Sequence, residues 1–499
     1  MDDKYREIFA SSEVGRGLIR KAVRGSAVVM GGEIGSFLLR IGSTVVLARL
    51  LLPEDFGLLA MVSALTVFAE RFKDLGLSDA TVQAKDITHS QVSSLFWINL
   101  VVCIAIGSLV ASLSKVIAWF YHEPRLVGVS LVLASTFLFS GIVIQHQALL
   151  RRQLHFGTLV FINLSSTVLS VLGAIMLAYY GFGYWALVAR EFFRAVFLVL
   201  GTWIACPWRP GLPQRKAGIG YFLNFGKNVT GFNLVHFLSR SIDKILIGKL
   251  NGPYWVGVYT NAYQLIALPV AQIQVPINTV ALPALSVLQT DPSKFRDYSE
   301  KMLHLLTFFS MPVVAFSAIF ADVIIGLLLG SQWTKAVPIF QVLAIGVFVE
   351  PIVHALGPPL VAFGKTKEYF NLGIINACSL VGCMAMGSYW GAIGIAFGHS
   401  IGIYLALAAC FGYGLRQTPM RITSLLRILA PNCLYSLLSG LILLLVRYTA
   451  GWDIQPGWLF LFALGGAATY MGLSLIAPGG RKILLGYWAY FKNVIPWTK

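Results

Sequence analysis

Residues 31–65, GGEIGSFLLRIGSTVVLARLLLPEDFGLLAMVSAL, recur in register at 231–265 as GFNLVHFLSRSIDKILIGKLNGPYWVGVYTNAYQL. At an offset of 200 and without a gap, Gly31 meets Gly231, Phe37 meets Phe237, Leu38 meets Leu238 and Arg40 meets Arg240. Leu50, Pro53, Gly57 and Leu65 then meet Leu250, Pro253, Gly257 and Leu265, and Arg49 meets Lys249 conservatively. One such coincidence carries no weight. A polar arginine and a Pro/Gly turn keeping one register across two apolar runs marks an internal repeat.

The repeated runs are apolar enough to leave water. The 499 residues are 57% hydrophobic and 12% charged, with a mean hydropathy of +0.75, a composition that a water-facing surface cannot cover. A spanning helix needs roughly 20 mostly apolar residues. Such runs are predicted near 24–50, 56–76, 92–114, 126–148, 157–179, 183–206, 219–249, 254–284, 303–329, 335–360, 369–390, 392–414, 424–447 and 457–477. They are continuous rather than alternating, so the spans are helical and not strands of a closed barrel. The expectation is an all-α polytopic membrane protein with about 14 transmembrane helices.

Six spans separate the two copies of the repeat, an even number, so both enter the membrane in the same direction and the repeat is parallel. That predicts two pseudo-symmetric six-helix bundles: an N-lobe over 21–212 and a C-lobe over 213–416. A C-terminal helix pair over 417–478 lies outside the repeat. Residues 1–20 form a charged N-terminal segment, with no removable signal peptide expected. In the tail 479–499, Trp488, Tyr490 and Phe491 beside Lys492 read as an interfacial segment. Pro207, Pro210 and Pro213 stiffen the linker between the lobes. Pro269, Pro276 and Pro283, and Pro351, Pro358 and Pro359, are candidate kinks in the eighth and tenth spans.

The formal charge of +17 does not imply nucleic acid, because basic residues in a membrane protein act as orientation signals. Most of the 38 Lys and Arg fall on the side of the membrane shared by both termini, which places the termini in the cytoplasm. The six cysteines lie in or beside apolar runs with no CxxC pairing, so neither a disulfide framework nor a metal is expected. No cofactor motif and no catalytic constellation is present.

Ionisable side chains inside spans cost roughly 2.5–3.5 kcal/mol each on insertion scales and must face protein or water. Glu33 and Arg40 lie on one face of the first span, about 10 Å apart along its axis. The repeat puts Arg240 at the equivalent place in the seventh span, with Asp243 and Lys244 within a turn, and the sixth span carries Arg190, Glu191 and Arg194. Together these give a net charge of about +2. Arginine forks match phosphate oxygens, so Arg40, Arg240, Arg190, Arg194 and Lys244 are the candidate cargo-binding residues. The alternative is that Glu33 with Arg40, Glu191 with Arg194 and Asp243 with Arg240 are structural pairs that let buried charge exist. Glu33 and Asp243 are the candidate binders of a coupling ion, H+ or Na+; Glu350 has the same chemistry. His304, His354 and His399 read as satisfied interior residues.

Several stretches resemble the polysaccharide transporter (oligosaccharide flippase) branch of the multidrug/oligosaccharidyl-lipid/polysaccharide flippase superfamily. They are Ala48 to Met61 (ARLLLPEDFGLLAM), Leu75 to Leu77, Ala148 to Phe156 (ALLRRQLHF), Ile242 to Leu250 (IDKILIGKL), Ala262 to Leu265 (AYQL), Pro283 to Leu285 and Gly330 to Trp333 (GSQW). The resemblance covers roughly 20 to 420. It implies a non-enzymatic, two-lobed inner-membrane flippase moving a polyprenyl-pyrophosphate-linked oligosaccharide, with membrane lipids and the polysaccharide polymerase and export machinery as partners. An ion-coupled multidrug exporter of the same superfamily would handle mostly cationic cargo in an acidic lumen, the reverse of the charges here. A peptidoglycan lipid-precursor flippase is a further alternative. A membrane-embedded glycosyltransferase would need acceptor-deprotonating carboxylates and usually a large external loop.

Overall fold

The computed structural model describes residues 16–70, 72–84, 86–213, 241–450 and 456–476. Residues 1–15, Arg240 and the tail 479–499 lie outside the described residues. The chain divides into two compact units, Met1–Val258 and Tyr259–Lys499. Among the described residues, ten helical stretches are long and apolar enough to cross a membrane. One of them, Lys367–Gln417, is 51 residues long and folds as two helices. The expected second and sixth spans are also helices, but Glu54, Asp55 and Glu70 lower the hydropathy of the one and Arg190, Glu191 and Arg194 that of the other. The protein is an all-helical, multi-pass membrane protein.

In the first unit, α1 (Arg16–Leu50) breaks at Pro53, where α2 (Pro53–Glu70) begins and Asp55 accepts the Leu52 backbone N–H at 2.9 Å. A short α3 (Leu77–Gln83) leads to α4 (His89–Ser112) and α5 (Ser114–Tyr121), then to α6 (Leu126–Arg152), α7 (Phe156–Tyr179) and α8 (Tyr184–Ala205). The start of α4 is set by a capping box: Thr88 accepts from the Gln91 backbone and Gln91 from the Thr88 backbone. The helices pack α1 on α7, α7 on α8, α4 on α6 and α6 on α8.

Several polar groups inside this unit bond one another. Asp74 caps α3 through the Ser78 backbone N–H at 3.0 Å and also accepts from Asn99 at 3.2 Å. Asn99 in turn accepts from Gln145 at 3.3 Å, and Thr81 bonds Gln145 at 3.0 Å. Arg152 is buried and donates to the carbonyls of Thr81, Val82 and Ala84, satisfying the C-terminal end of α3. The 206–213 linker is held onto α4: the Trp97 indole donates to Gly211 O at 2.8 Å, Gly211 N–H to Ser93 Oγ at 3.0 Å, and the buried Trp208 indole to His89 Nδ1 at 3.1 Å.

Beyond the linker, α9 (Ile242–Asn251) packs on α2 and is followed by Gly252, whose φ of 83° admits the tight turn into α10 (Pro253–Leu288). The eighth span runs unbroken through Pro269, Pro276 and Pro283, because a spacing of seven puts all three missing N–H groups on one side of the helix. The tenth span does break. It consists of α13 (Ala336–Val347), α14 (Glu350–Ala355) and α15 (Gly357–Ala362), and Pro351, Pro358 and Pro359 remove the donors that would have continued it.

The rest of the second unit comprises α11 (Pro292–Ile319), α12 (Ala321–Leu328), α16 (Thr366–Gly387), α17 (Gly391–Ala409), α18 (Ile422–Ala450) and α19 (Leu459–Ile476). Helices α16 and α17 touch through glycine: a Cβ on Gly394 would lie 2.1 Å from Gly387 O, and one on Gly398 2.4 Å from Cys383 O. Small residues let the backbones approach, which is how helices gain contact where lipid offers no hydrophobic drive. The buried Arg447 ties α18 to α11 and α12, donating to Ile319 O and to both oxygens of Asp322 (3.0 and 2.5 Å).

Candidate cargo site

All the described candidate cargo-binding charges, with Glu33 and Asp243, fall in the first unit, and Glu350 falls in the second. Glu33 and Arg40 lie on α1, whose other side packs on α7 through Gly32 against Val160 and Gly35 against Leu164. Seven residues apart, they share one face, and both side chains are exposed from the protein. They do not pair with each other. The Arg40 backbone carbonyl accepts the Ser43 and Thr44 hydroxyls at 3.0 and 2.9 Å, contacts that leave the guanidinium uncommitted.

On α8, the half-buried Arg190 donates to Glu191 Oε1 from Nε at 3.1 Å and from Nη2 at 2.8 Å. The expected Glu191 to Arg194 pairing is therefore corrected: the carboxylate is taken by the adjacent arginine, and Arg194, one turn along, is exposed. Neither Arg40 nor Arg194 forms an ion pair with a carboxylate among the described residues. On α9, Asp243 is buried and accepts the Lys244 backbone N–H at 2.8 Å, a first-turn position in which its charge suits the helix N-terminus. The half-buried Lys244 follows it. The structure thus joins Arg190 to Glu191 and separates Glu33 from Arg40, leaving a surplus of guanidinium groups on membrane helices.

In the second unit stand Glu350, read from the sequence as a further carboxylate able to bind a coupling ion, and His354, read as a satisfied interior residue. His354 Nε2 lies 3.2 Å from Glu350 Oε1, so the partner that satisfies this histidine is a carboxylate. The Glu-x-x-x-His spacing was the available signal, since residues four apart are neighbours on a helix.

Residues 46–338 match the family model described as "Polysaccharide biosynthesis protein". The chain belongs to this family. Among its relatives, the teichuronic acid biosynthesis protein TuaB of Bacillus subtilis (strain 168) is 31% identical over 331 residues, which cover 62% of this chain and 65% of TuaB, just under two thirds of that protein. The lipopolysaccharide biosynthesis protein WzxC of Escherichia coli (strain K12) is 23% identical over 360 residues, 71% of this chain and 72% of WzxC. Among solved structures, the lipid II flippase MurJ in an inward closed conformation superposes with a TM-score of 0.71 at 16% identity, over 91% of this chain and 98% of MurJ. At that identity the likeness concerns the fold alone.

Proposed function

We propose that the protein is a flippase that carries undecaprenyl-pyrophosphate-linked oligosaccharide repeat units across the bacterial cytoplasmic membrane for exopolysaccharide or lipopolysaccharide assembly. The observation that carries this reading is the pair Arg40 and Arg194, two guanidinium groups on membrane helices without a carboxylate partner among the described residues. A permanent positive charge in a span needs a counter-charge or water. A pyrophosphate supplies the counter-charge in the planar, forked geometry that arginine matches, and Arg190, Lys244 and, by its place in the repeat, Arg240 are the further candidate contacts. The names of the relatives, which concern teichuronic acid and lipopolysaccharide synthesis, support a glycan-lipid cargo. In this reading the role is transport and not catalysis.

In this reading the lobes 21–212 and 213–416 expose the cargo alternately to the two faces, both termini are cytoplasmic, and residues 417–478 add a helix pair. Glu33 and Asp243 stand in this first unit as binders of a coupling ion.

The experiment uses purified protein in liposomes loaded with a fluorescent polyprenyl-pyrophosphate oligosaccharide, scoring how fast the glycan becomes accessible to an impermeant glycosidase. Protein-dependent exposure of such a glycan is the expected result. Exposure of a peptidoglycan precursor alone would replace the cargo assignment, and no exposure of any lipid-linked glycan, with or without an ion gradient, would overturn it.

A further inference from the structure

The tenth span breaks midway along Ala336–Ala362, and a carboxylate sits at the break. Val347 ends α13, and Glu350 opens α14 with Pro351 directly after it. One oxygen of Glu350, Oε1, takes two partners: the Tyr263 hydroxyl from α10 at 3.2 Å and His354 Nε2, one turn further along α14, also at 3.2 Å. Glu350 is largely enclosed, its side chain 15% exposed, while that of His354 is 31% exposed. The ring of the buried His399 on α17 meets the Tyr263 ring edge-on at 5.3 Å. Three helices therefore bring a carboxylate, two imidazoles and a phenol together in the middle of the second unit.

The other titratable groups on the surrounding elements include Tyr254 and the buried Tyr259 of α10, and Lys294, Arg296, Asp297, Tyr298, Glu300 and Lys301 in the first three turns of α11. Helices α13 and α15 carry none in their sequences, and α17 adds Tyr404, which is exposed. In its membrane-embedded part α11, which packs on α14, carries His304, stacked on Phe308 with centroids 5.9 Å apart.

We propose that Glu350 and His354, steadied by Tyr263, form a proton-binding site of the second unit, loading and releasing one proton as the broken tenth span changes conformation. With one proton the pair is neutral overall, as Glu⁻ with HisH⁺ or GluH with neutral His, and either form keeps the 3.2 Å contact. Without it the pair carries a negative charge in mid-membrane, which costs a few kcal/mol unless water enters. An imidazole beside a carboxylate is the combination that exchanges a proton near neutral pH. Irregular backbone at membrane depth occurs where it lines a cavity or is buried in protein, and the proline-broken segment is where a path to water would open. As the source of energy for cargo movement, this site rests on the flippase reading; as a site that binds a proton, it does not.

The test therefore has two arms. Infrared titration of the purified full-length protein in lipid should show a carboxyl or carboxylate band whose intensity or position changes between about pH 5 and 8, the range over which histidine changes charge. That band should be absent in Glu350→Gln and displaced in His354→Gln and in Tyr263→Phe. Glutamine keeps the acceptor for Tyr263, so the fold is retained. An identical titrating band in Glu350→Gln overturns the site. In the liposome assay, a proton gradient should speed glycan exposure by wild type, and Glu350→Gln should lose that acceleration at least tenfold. Acceleration by a sodium gradient and not by protons, or unchanged acceleration in Glu350→Gln, overturns the coupling. A wild type that exposes no glycan at all counts against the flippase reading, and the infrared arm still decides the proton site.

Discussion

Gly57 and Gly257, at matching places of the repeat, pack backbone to backbone. A Cβ on Gly57 would lie 1.7 Å from the carbonyl oxygen of Pro253, and one on Gly257 would lie 1.8 Å from that of Pro53. The contact is reciprocal, each glycine against the other copy's proline, as a two-fold relation requires. Glycine is needed here because two helix backbones occupy the space a methyl group would take.

Gly57→Ala and Gly257→Ala should each destabilise the protein by at least about 1–3 kcal/mol, the usual cost of overpacking, since backbone and not a flexible side chain must yield. Gly42→Ala, with nothing within 4 Å of the new methyl, should be neutral or gain up to about 1 kcal/mol from helix propensity. Thermal unfolding in detergent compares the three; equal behaviour would contradict the close approach.

Arg447 is 2% exposed, whereas its partner Asp322 is 49% exposed. Arg447→Ala should cost about 1.5–3 kcal/mol, the range for hydrogen bonds to charged groups, through the lost fork and the orphaned Ile319 carbonyl. Arg447→Lys should recover part of it, because an ammonium cannot reach both oxygens and the carbonyl together. Urea or thermal unfolding measures the order wild type, Lys, Ala.

Outside the spans, Arg125 bridges Glu123 and Glu54. Its hydrogen bond holds the Glu123 carboxyl below the usual carboxylate range, and the two carboxylates raise the guanidinium in turn. A carboxyl depressed in the folded state adds stability above its unfolded pKa of about 4.3 and loses it as pH falls through the folded value. Thermal stability should therefore fall as the pH drops below about 4. Arg125→Ala should flatten that fall while costing less than about 1 kcal/mol at neutral pH, since Arg125 is 41% exposed.

Arg40→Ala and Arg194→Ala should slow glycan exposure in liposomes at least tenfold without lowering the unfolding temperature, because neither side chain pairs with a carboxylate whose loss would be felt in the fold. Glu191→Gln should instead lower stability, as it strips Arg190 of its counter-charge. A double Arg40→Ala, Arg194→Ala variant that exports normally would remove cargo binding from these positions.

Class, helicity, spans and repeat were legible in the sequence, because hydrophobic length and register are local properties that lipid reads directly. Arg40, Arg190, Arg194, Asp243 and Lys244 were legible as candidates for the same reason: charge inside an apolar run is conspicuous in one dimension. Tertiary structure decided who pairs with whom. Glu191 went to Arg190 and not to Arg194, Arg447 found Asp322, and Tyr263 met Glu350, since partner choice depends on packing between helices distant in the chain. Proline content likewise did not say which span breaks. The eighth span carries its prolines seven apart on one side and continues, while the tenth loses donors at Pro351, Pro358 and Pro359 and parts around Glu350. Whether a missing hydrogen bond bends a helix or ends it is settled by the neighbours that take up the freed carbonyls, and only the folded chain supplies them.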